Sequence, residues 1–246
     1  MGGNTENRGE VLSSQAEIIK IGQKILAQGL VLGTWGNISA RIEEQLIAIT
    51  PSGMDYGTLQ PEDIVVLDLE GNKVSIEHKP SIEHKPSAEA NLSAETKTSS
   101  QRKPSSEHPL HRAIYKARPD VKAIVHTHSI YGSACSVAGL AIPPITEDMV
   151  MLLGGGIEVA KYALPGTEEL AENVVQALGT KNGVLLANHG IVGVGRSLEE
   201  ALTACHMVEK SAQIFVMAKS LGNTNIINQE NVDFLRDEYL YHYGQR

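Results

Sequence analysis

Two histidines, His126 and His128, stand two residues apart in the stretch AIVHTHS, whose β-branched and apolar residues are typical of a strand. Because residues i and i+2 of a strand point to the same face, the two imidazoles are predicted to lie side by side. Neutral imidazole is a good ligand for zinc, at about 2.0–2.1 Å. A hydrogen-bonded structural pair, or a pair at the surface, is an alternative that the spacing alone leaves open.

A third histidine, His189, lies in LLANHGI, at the end of another apolar stretch and directly before Gly190, where the chain can turn. Three histidines from two strand ends can form one face of a tetrahedral site whose fourth position is open to water or substrate. The motifs contain no cysteine ligand, which favours a catalytic over a structural metal site.

An acid for proton transfer is offered by Glu107 in KPSSEHPLH, at the start of a predicted helix. The helix dipole favours a carboxylate at that position, so Glu107 could also be explained as a residue that only stabilises the start of the helix. The preceding Ser105 and Ser106 offer hydroxyl and backbone N–H groups suited to an anion such as phosphate. Glu107 is therefore a candidate acid–base group beside a candidate anion site.

Two further loops have the same character. GTWGNIS contributes Gly36 and Asn37, and TPSGMD contributes Ser52 and Gly53. Small polar residues next to glycines let backbone N–H groups approach an anion. Ordinary turn chemistry explains each loop about as well.

The elements that position these residues alternate between helix and strand patterns. The predicted helices span 13–29, 105–118 with Ser106 as its cap, 166–179 with Thr167 as its cap, and 197–222 opening with a Ser197–Glu200 capping box. The predicted strands lie in 37–42, 45–50, 121–129, in a pair within 63–76 that turns at Gly71-Asn72, and in a pair within 183–195. One segment, 76–102, is rich in Ser, Glu, Lys, Ala and Thr and contains a tandem hexapeptide, so we expect a mobile surface insertion there.

Composition narrows the function classes. The formal net charge is −8 with no Lys/Arg run, which argues against binding nucleic acid through phosphate neutralisation. No apolar run approaches the roughly 18 residues of a membrane span. The N-terminal residues are polar and contain no apolar h-region, so we expect no secretory signal. The two cysteines, Cys135 and Cys205, form no CxxC pattern, so we expect reduced thiols and a cytoplasmic location.

Taken in order, GTWGNIS, ITPSGMDY, KPSSE, AIVHTHS and NHG resemble the class II aldolase/adducin family over about residues 14–221, apart from the insertion at about 76–102. The resemblance implies an α/β fold, with three α/β/α layers around a central, largely antiparallel sheet. It implies a single domain over 1–246 and a homotetramer with active sites at subunit interfaces. It implies Zn²⁺, or another divalent metal, on His126, His128 and His189, with Glu107 as acid/base. It implies a phosphate site made by six residues: Gly36, Asn37, Ser52, Gly53, Ser105 and Ser106.

The function that the resemblance implies is a zinc-dependent aldolase acting on a small-molecule sugar phosphate. It would cleave a ketose 1-phosphate, with L-fuculose 1-phosphate the best guess, to dihydroxyacetone phosphate and a small aldehyde by an enediolate mechanism. A pentulose-5-phosphate 4-epimerase is the first alternative, because the C-terminal YGQR places Tyr243 where such enzymes carry a catalytic tyrosine. Decarboxylation or dehydration of a related sugar phosphate is a further alternative on the same scaffold. An adducin-like interaction module is the non-enzyme alternative, and neither nucleic acid nor a membrane is expected as a partner.

Overall fold

The computed structural model of the protein describes residues 3–75 and 102–244. The helices in these ranges are α1 (Gly3–Ala27), α2 (His108–Ala117), α3 (Ile130–Ala138), α4 (Glu147–Leu153), α5 (Glu168–Leu178), α6 (Leu198–Leu221) and α7 (Gln229–Asp237). A 3-10 turn spans Pro61–Asp63 and a π-helical turn spans Glu238–His242. The strands are β1 (Asn37–Glu43), β2 (Leu46–Ile49), β3 (Val65–Asp68), β4 (Ala123–Thr127), β5 (Val159–Ala160), β6 (Gly183–Leu186) and β7 (Gly190–Gly195).

The strands form one seven-stranded sheet in the order β3-β2-β1-β4-β7-β6-β5. Every neighbouring pair is antiparallel except β5 and β6, which are parallel. β4 lies at the centre, between β1 and β7, and places Asn37 opposite His126. The predicted fold class, a largely antiparallel sheet between helices, is confirmed.

Two apolar cores lie on the two faces of this sheet, because successive side chains of a strand point in opposite directions. Ala123 and Val125 of β4 belong to the core that includes residues of α1, α3, α4 and α6. Ile124 of β4 belongs to the other core, which includes residues of α2 and α5. His126 has the parity of Ile124, so its side chain points to the face covered by α2.

Most of the predicted elements are present, and their ends show where local signals were insufficient. Helix α2 is preceded by Glu107 as its N-cap residue, so the prediction of Ser106 as the cap was wrong. After Gly71-Asn72 the chain forms an isolated bridge from Lys73 to Leu67 in place of the second predicted strand.

The long helix α6 begins at Leu198 and ends at Leu221, close to its predicted limits. The Ser197 side chain accepts a hydrogen bond from the Glu200 N–H, as predicted. The Glu200 carboxylate, however, accepts from the Arg196 N–H, which replaces the reciprocal half of the predicted capping box.

Most of the predicted insertion, residues 76–101, lies outside the described residues, and the division of the chain into domains stays a prediction. Arg102, which closes the segment, is ion-paired with Asp63 at 2.7 Å.

Cys135 and Cys205 are buried free thiols. None of the helices in the described ranges is long and apolar enough to cross a bilayer.

Candidate active site

Three imidazoles converge at the carboxyl end of β4. One ring nitrogen from each of His126, His128 and His189 can serve as a metal ligand, and these three atoms all lie within 4.8 Å of one another. The ring centroids are 4.7–4.9 Å apart, with each pair of rings tilted edge to face. His126 is the last but one residue of β4, and His128 follows the strand directly. The structure therefore brings the three predicted ligands together.

The geometry of His126 defines which of its nitrogens faces the cluster. Its Nδ1 lies 2.9 Å from the backbone oxygen of Ile191, which can only accept, so Nδ1 carries the proton. In the neutral ring Nε2 then presents a lone pair, and it lies 2.9 Å from Nε2 of His128. Nitrogen lone pairs that converge at this distance repel one another unless a cation or a proton lies between them. Such an arrangement is typical of a metal site whose ligand is oriented by a backbone carbonyl.

His189 reaches the cluster from a tight hairpin loop between β6 and β7. Asn188 adopts a left-handed conformation with φ 56°, which asparagine tolerates better than most residues. Gly190 then lets β7 approach β4 closely, since a Cβ there would lie 2.4 Å from the Thr127 backbone oxygen. Any side chain at position 190 would displace the strand that carries His126 and His128.

Glu107 lies at the start of α2 with its carboxylate against the histidines. Its Oε2 is 3.3 Å from Nε2 of His126, and its Oε1 is 3.5 Å from Nε2 of His189. Oε2 also accepts a hydrogen bond of 2.7 Å from the side-chain nitrogen of Asn37. Oε1 is buried and has no hydrogen-bond partner. A buried carboxylate oxygen without a partner, beside three imidazoles, fits a neighbouring cation or a proton that is exchanged during a reaction.

The electrostatics keep Glu107 ionised and both His128 and His189 neutral near pH 7. Burial raises the pKa of Glu107, but His126, His189 and the hydrogen bond from Asn37 lower it by more, so the net pKa lies below its usual value. Burial, together with the neighbouring rings, lowers the pKa of His128 to about 3 and that of His189 to about 4. Because metal ligands must be unprotonated, these imidazoles are in the form that binds a divalent cation.

A cavity of about 270 Å³ opens beside the histidines. Its lining includes Glu107, His128, His189 and five of the six predicted phosphate-site residues, namely Gly36, Ser52, Gly53, Ser105 and Ser106. Among the residues that line it in the described part of the chain, none is Lys or Arg. Any anion bound within this chain would therefore be held by neutral hydroxyl and N–H donors.

The sixth residue, Asn37, is buried with its amide between Glu107 and His111. Its nitrogen donates to Glu107 and its oxygen lies 2.5 Å from Nε2 of His111. Sequence reasoning did not single out His111, although its position four residues after Glu107 predicts the same face of α2.

Tyr243 is not brought to the histidines within the described chain. Its ring is 62% exposed and lies 5.6 Å from that of Tyr239. Tyr239 lines a different cavity together with Gly195 and Arg196, at the end of β7 opposite Gly190. A catalytic role for Tyr243 stays a prediction and requires a second copy of the chain to supply it.

Comparison with known proteins agrees with this geometry. The sequence pattern of the class II aldolase and adducin N-terminal domain matches residues 16–216. The chain belongs to the class II aldolase and adducin family. A 5-deoxy-D-ribulose 1-phosphate aldolase of Bacillus thuringiensis serovar kurstaki is 32% identical to this chain. The match covers 94% of this chain and 96% of the length of that aldolase.

Two other relatives show the range of chemistry in proteins similar to this class II aldolase. A 3-oxo-tetronate 4-phosphate decarboxylase of Haemophilus influenzae is 32% identical over 89% of the chain and 97% of its own length. A solved L-fuculose 1-phosphate aldolase superposes with a TM-score of 0.80 at 33% identity, and the match covers 93% of this chain and 97% of that one. The predicted enzyme class, a carbon–carbon lyase of the class II aldolase type, is confirmed.

Proposed function

We propose that the protein is a zinc-dependent aldolase that cleaves a ketose 1-phosphate to dihydroxyacetone phosphate and a small aldehyde. The observation that carries this proposal is the meeting of three imidazoles with the carboxylate of Glu107, 3.3 and 3.5 Å from two of them, at one end of the serine- and glycine-lined cavity. A divalent cation on His126, His128 and His189 supplies Lewis-acid stabilisation of the oxygen atoms next to the carbon that loses its bond.

The residues of this chain divide the remaining work. The hydroxyl and N–H groups of Ser52, Gly53 and Ser106 lie at the exposed mouth of the cavity, where we place the substrate phosphate; Gly36 and Ser105 line the same cavity. In the direction of bond formation Glu107 removes a proton from C3 of dihydroxyacetone phosphate. In the direction of cleavage it returns a proton to the same carbon.

An apolar cavity supports a substrate whose aldehyde half ends in a methyl group. This second cavity, of about 380 Å³, shares Trp35 and His128 with the phosphate cavity. Its other lining residues include Leu32 and Ile130, which with Trp35 are 66–81% exposed. A substrate anchored at one end by its phosphate and reacting at the histidines would extend its far end along this surface. Both L-fuculose 1-phosphate and 5-deoxyribulose 1-phosphate end in a methyl group, so they are the first substrates to test.

The proposal includes a cytoplasmic homotetramer. Leu221, Phe234 and Tyr241 are large apolar side chains with 62–89% exposure in the single chain. Their burial between copies would stabilise an oligomer. A mass in light scattering four times that of the chain is expected, and a monomer would contradict this part of the proposal.

The deciding experiment offers zinc-loaded protein four substrates: L-fuculose 1-phosphate, 5-deoxyribulose 1-phosphate, L-ribulose 5-phosphate and 3-oxo-tetronate 4-phosphate. Release of dihydroxyacetone phosphate is followed through NADH oxidation by glycerol-3-phosphate dehydrogenase, with a chelator control and His189→Ala as the matched variant. We expect release from a ketose 1-phosphate that both controls abolish. Decarboxylation of 3-oxo-tetronate 4-phosphate would also yield dihydroxyacetone phosphate, so CO₂ is measured separately for that substrate. Epimerisation of the pentulose, or CO₂ release from the oxo acid, with no cleavage of either ketose 1-phosphate by protein shown to hold zinc, would overturn the aldolase assignment.

A further inference from the structure

Five buried side chains form a continuous line behind the candidate acid. On α2 and its N-cap, Glu107, His111 and Tyr115 follow one another at intervals of four residues, so they share one face of the helix. On β1, Asn37 and Ser39 are two residues apart, so they share one face of the strand. The two rows face each other across the layer between α2 and the sheet, and all five residues are at most 7% exposed.

The contacts alternate between the two rows without a gap. Glu107 Oε2 lies 2.7 Å from Nδ2 of Asn37, whose Oδ1 lies 2.5 Å from Nε2 of His111. Nδ1 of His111 lies 2.6 Å from Oγ of Ser39. Ser39 Oγ lies 2.9 Å from the hydroxyl oxygen of Tyr115, which closes the chain.

The donor and the acceptor of each hydrogen bond in this row can be assigned by starting from the carboxylate of Glu107. The ionised carboxylate of Glu107 can only accept, so the amide nitrogen of Asn37 must face it. The Asn37 oxygen can only accept, so His111 donates from Nε2. The neutral ring then accepts at Nδ1 from the hydroxyl of Ser39, which in turn accepts from Tyr115. Burial, followed in size by the neighbouring His126, lowers the pKa of His111 to about 3, so the ring is neutral at pH 7.

This row of hydrogen bonds leaves the two carboxylate oxygens of Glu107 with different partners. Oε2 accepts a hydrogen bond from the side-chain amide of Asn37. His111 prevents that amide from rotating, because rotation would turn the NH₂ group of Asn37 toward the Nε2–H donor of His111. Oε1 has no hydrogen-bond partner and is on the side of His189.

We propose that His111 is a positioning residue, which acts through Asn37 to lock the Glu107 carboxylate so that Oε1 is the atom that exchanges a proton with substrate. The proposal rests on the aldolase function proposed above for its kinetic consequence, but its structural content is independent of the substrate. A positioning residue raises the rate by holding the acid–base group in the productive geometry, and a displacement of about 1 Å can cost about 100-fold in rate.

The first test is the protonation state of His111 in the zinc-loaded protein. Histidine labelled with ¹⁵N distinguishes a protonated from an unprotonated ring nitrogen by chemical shift, and the spectrum of His111→Gln assigns the signals. We expect a proton on Nε2 and none on Nδ1. The opposite tautomer, or a doubly protonated ring, would overturn the proposal whatever reaction the enzyme catalyses.

The second test is kinetic and uses two substitutions of His111. His111→Leu removes the donor and is expected to lower kcat about 10- to 100-fold, with KM and zinc content within about two-fold of the wild type. His111→Gln retains an N–H donor and is expected to recover part of the loss. His206→Leu is the matched control, since the same change is made at a partly buried histidine of α6 whose Nε2 lies 3.0 Å from Oε1 of Gln28.

A double-mutant cycle separates positioning from a merely structural role. If His111 acts through Glu107, His111→Leu costs nothing further in kcat when Glu107→Gln is already present. An equal loss in both backgrounds would overturn the proposal. Should His111→Leu fail to fold in a thermal unfolding scan, Tyr115→Phe shortens the same chain by one hydroxyl and is expected to lower kcat a few-fold.

Failure of this inference and failure of the proposed function give different results. If zinc-loaded wild-type protein cleaves no ketose 1-phosphate, the aldolase proposal fails, and the tautomer of His111 still decides whether the hydrogen-bond chain exists. If cleavage occurs with the opposite tautomer, the aldolase proposal stands and the role of His111 does not.

Discussion

The substitution Glu107→Gln removes a charge from the candidate site and leaves its shape almost unchanged. The amide oxygen of glutamine can accept the 2.7 Å hydrogen bond from Asn37 that the carboxylate oxygen Oε2 accepts now. The amide nitrogen would then occupy the position of Oε1, 3.5 Å from Nε2 of His189, where it can donate. We therefore expect the free energy of unfolding to change by less than about 1 kcal/mol.

The chemistry should change far more than the stability. A glutamine cannot take up or return a proton at neutral pH, and a positioned acid–base group is worth about 10²- to 10⁴-fold in rate. This range corresponds to about 3–5 kcal/mol in the activation free energy. KM should change little, because the phosphate donors of the cavity, such as Ser52 and Ser106, are untouched.

Two assays read out the same loss independently. One measures release of dihydroxyacetone phosphate from the ketose 1-phosphate, and the other measures exchange of its C3 proton with D₂O by NMR in the absence of aldehyde. Both rates should fall together, with zinc content checked by mass spectrometry. Glu199→Gln is the matched control, since it makes the same change at a partly exposed glutamate that pairs with Lys24. Proton exchange by Glu107→Gln within about three-fold of the wild type would refute the assignment of the acid–base role.

Three further predictions follow from the same geometry. In a chelator, the free energy of unfolding should fall as pH drops from about 6.5 toward 4, because His111, His128 and His189 have lowered pKa values and take up protons only on unfolding. Each proton taken up on unfolding contributes about 1.4 kcal/mol per pH unit to the slope of the unfolding free energy against pH. Equal urea midpoints at pH 7 and pH 5 would contradict this prediction. Trp35→Ala should lower kcat/KM for a methyl-terminated ketose 1-phosphate about 10-fold more than for its hydroxymethyl counterpart, and an equal loss on both would remove the apolar cavity from substrate recognition. Glu209→Ala should lower the free energy of unfolding by about 2 kcal/mol in urea titrations with zinc binding retained, because its carboxylate accepts hydrogen bonds from the N–H groups at the start of α3; an unchanged midpoint would show that this cap is dispensable.

The ligand set could be read from the sequence because its determinants are local. His126 and His128 share a strand face through a period of two, and the NHG sequence places His189 directly before β7. Glycine at 190 could be predicted to mark a turn. Its close approach to Thr127, by contrast, depends on the pairing of β4 with β7, which residue spacing does not reveal.

The hydrogen bonds that position Glu107 could not be predicted from local residue spacing. Asn37 was predicted to bind phosphate because it lies in a glycine-containing loop, and the structure shows its amide engaged by Glu107 and His111, which are 70 and 74 residues away. Such contacts arise from the packing of α2 on β1, after both elements have formed. The four-residue spacing of Glu107, His111 and Tyr115 is nevertheless visible in the sequence, and on a helix it places the three residues on one face.

Short elements near the site were also missed. Helix α3 begins directly after the histidine strand, and its N-terminal N–H groups are capped by the carboxylate of Glu209 on α6. Ser129 is the N-cap residue of α3, but its hydroxyl donates to the Glu209 carboxylate and does not accept from an N–H of the helix, a contact 80 residues away that the local sequence does not indicate. The contact of Tyr243 with Tyr239, four residues earlier, follows from the π-helical turn between them, a rare element that the tail sequence alone does not indicate.

The central claim is that the three histidines hold one catalytic metal ion per chain. The most direct measurement is to strip the protein with a chelator, add zinc in steps and record the rate of dihydroxyacetone phosphate release from a ketose 1-phosphate after each step. The account predicts no release from the stripped protein and a linear recovery that stops at one zinc per chain, with no recovery in His126→Ala. Full activity in the stripped protein, or full recovery in His126→Ala, would contradict it.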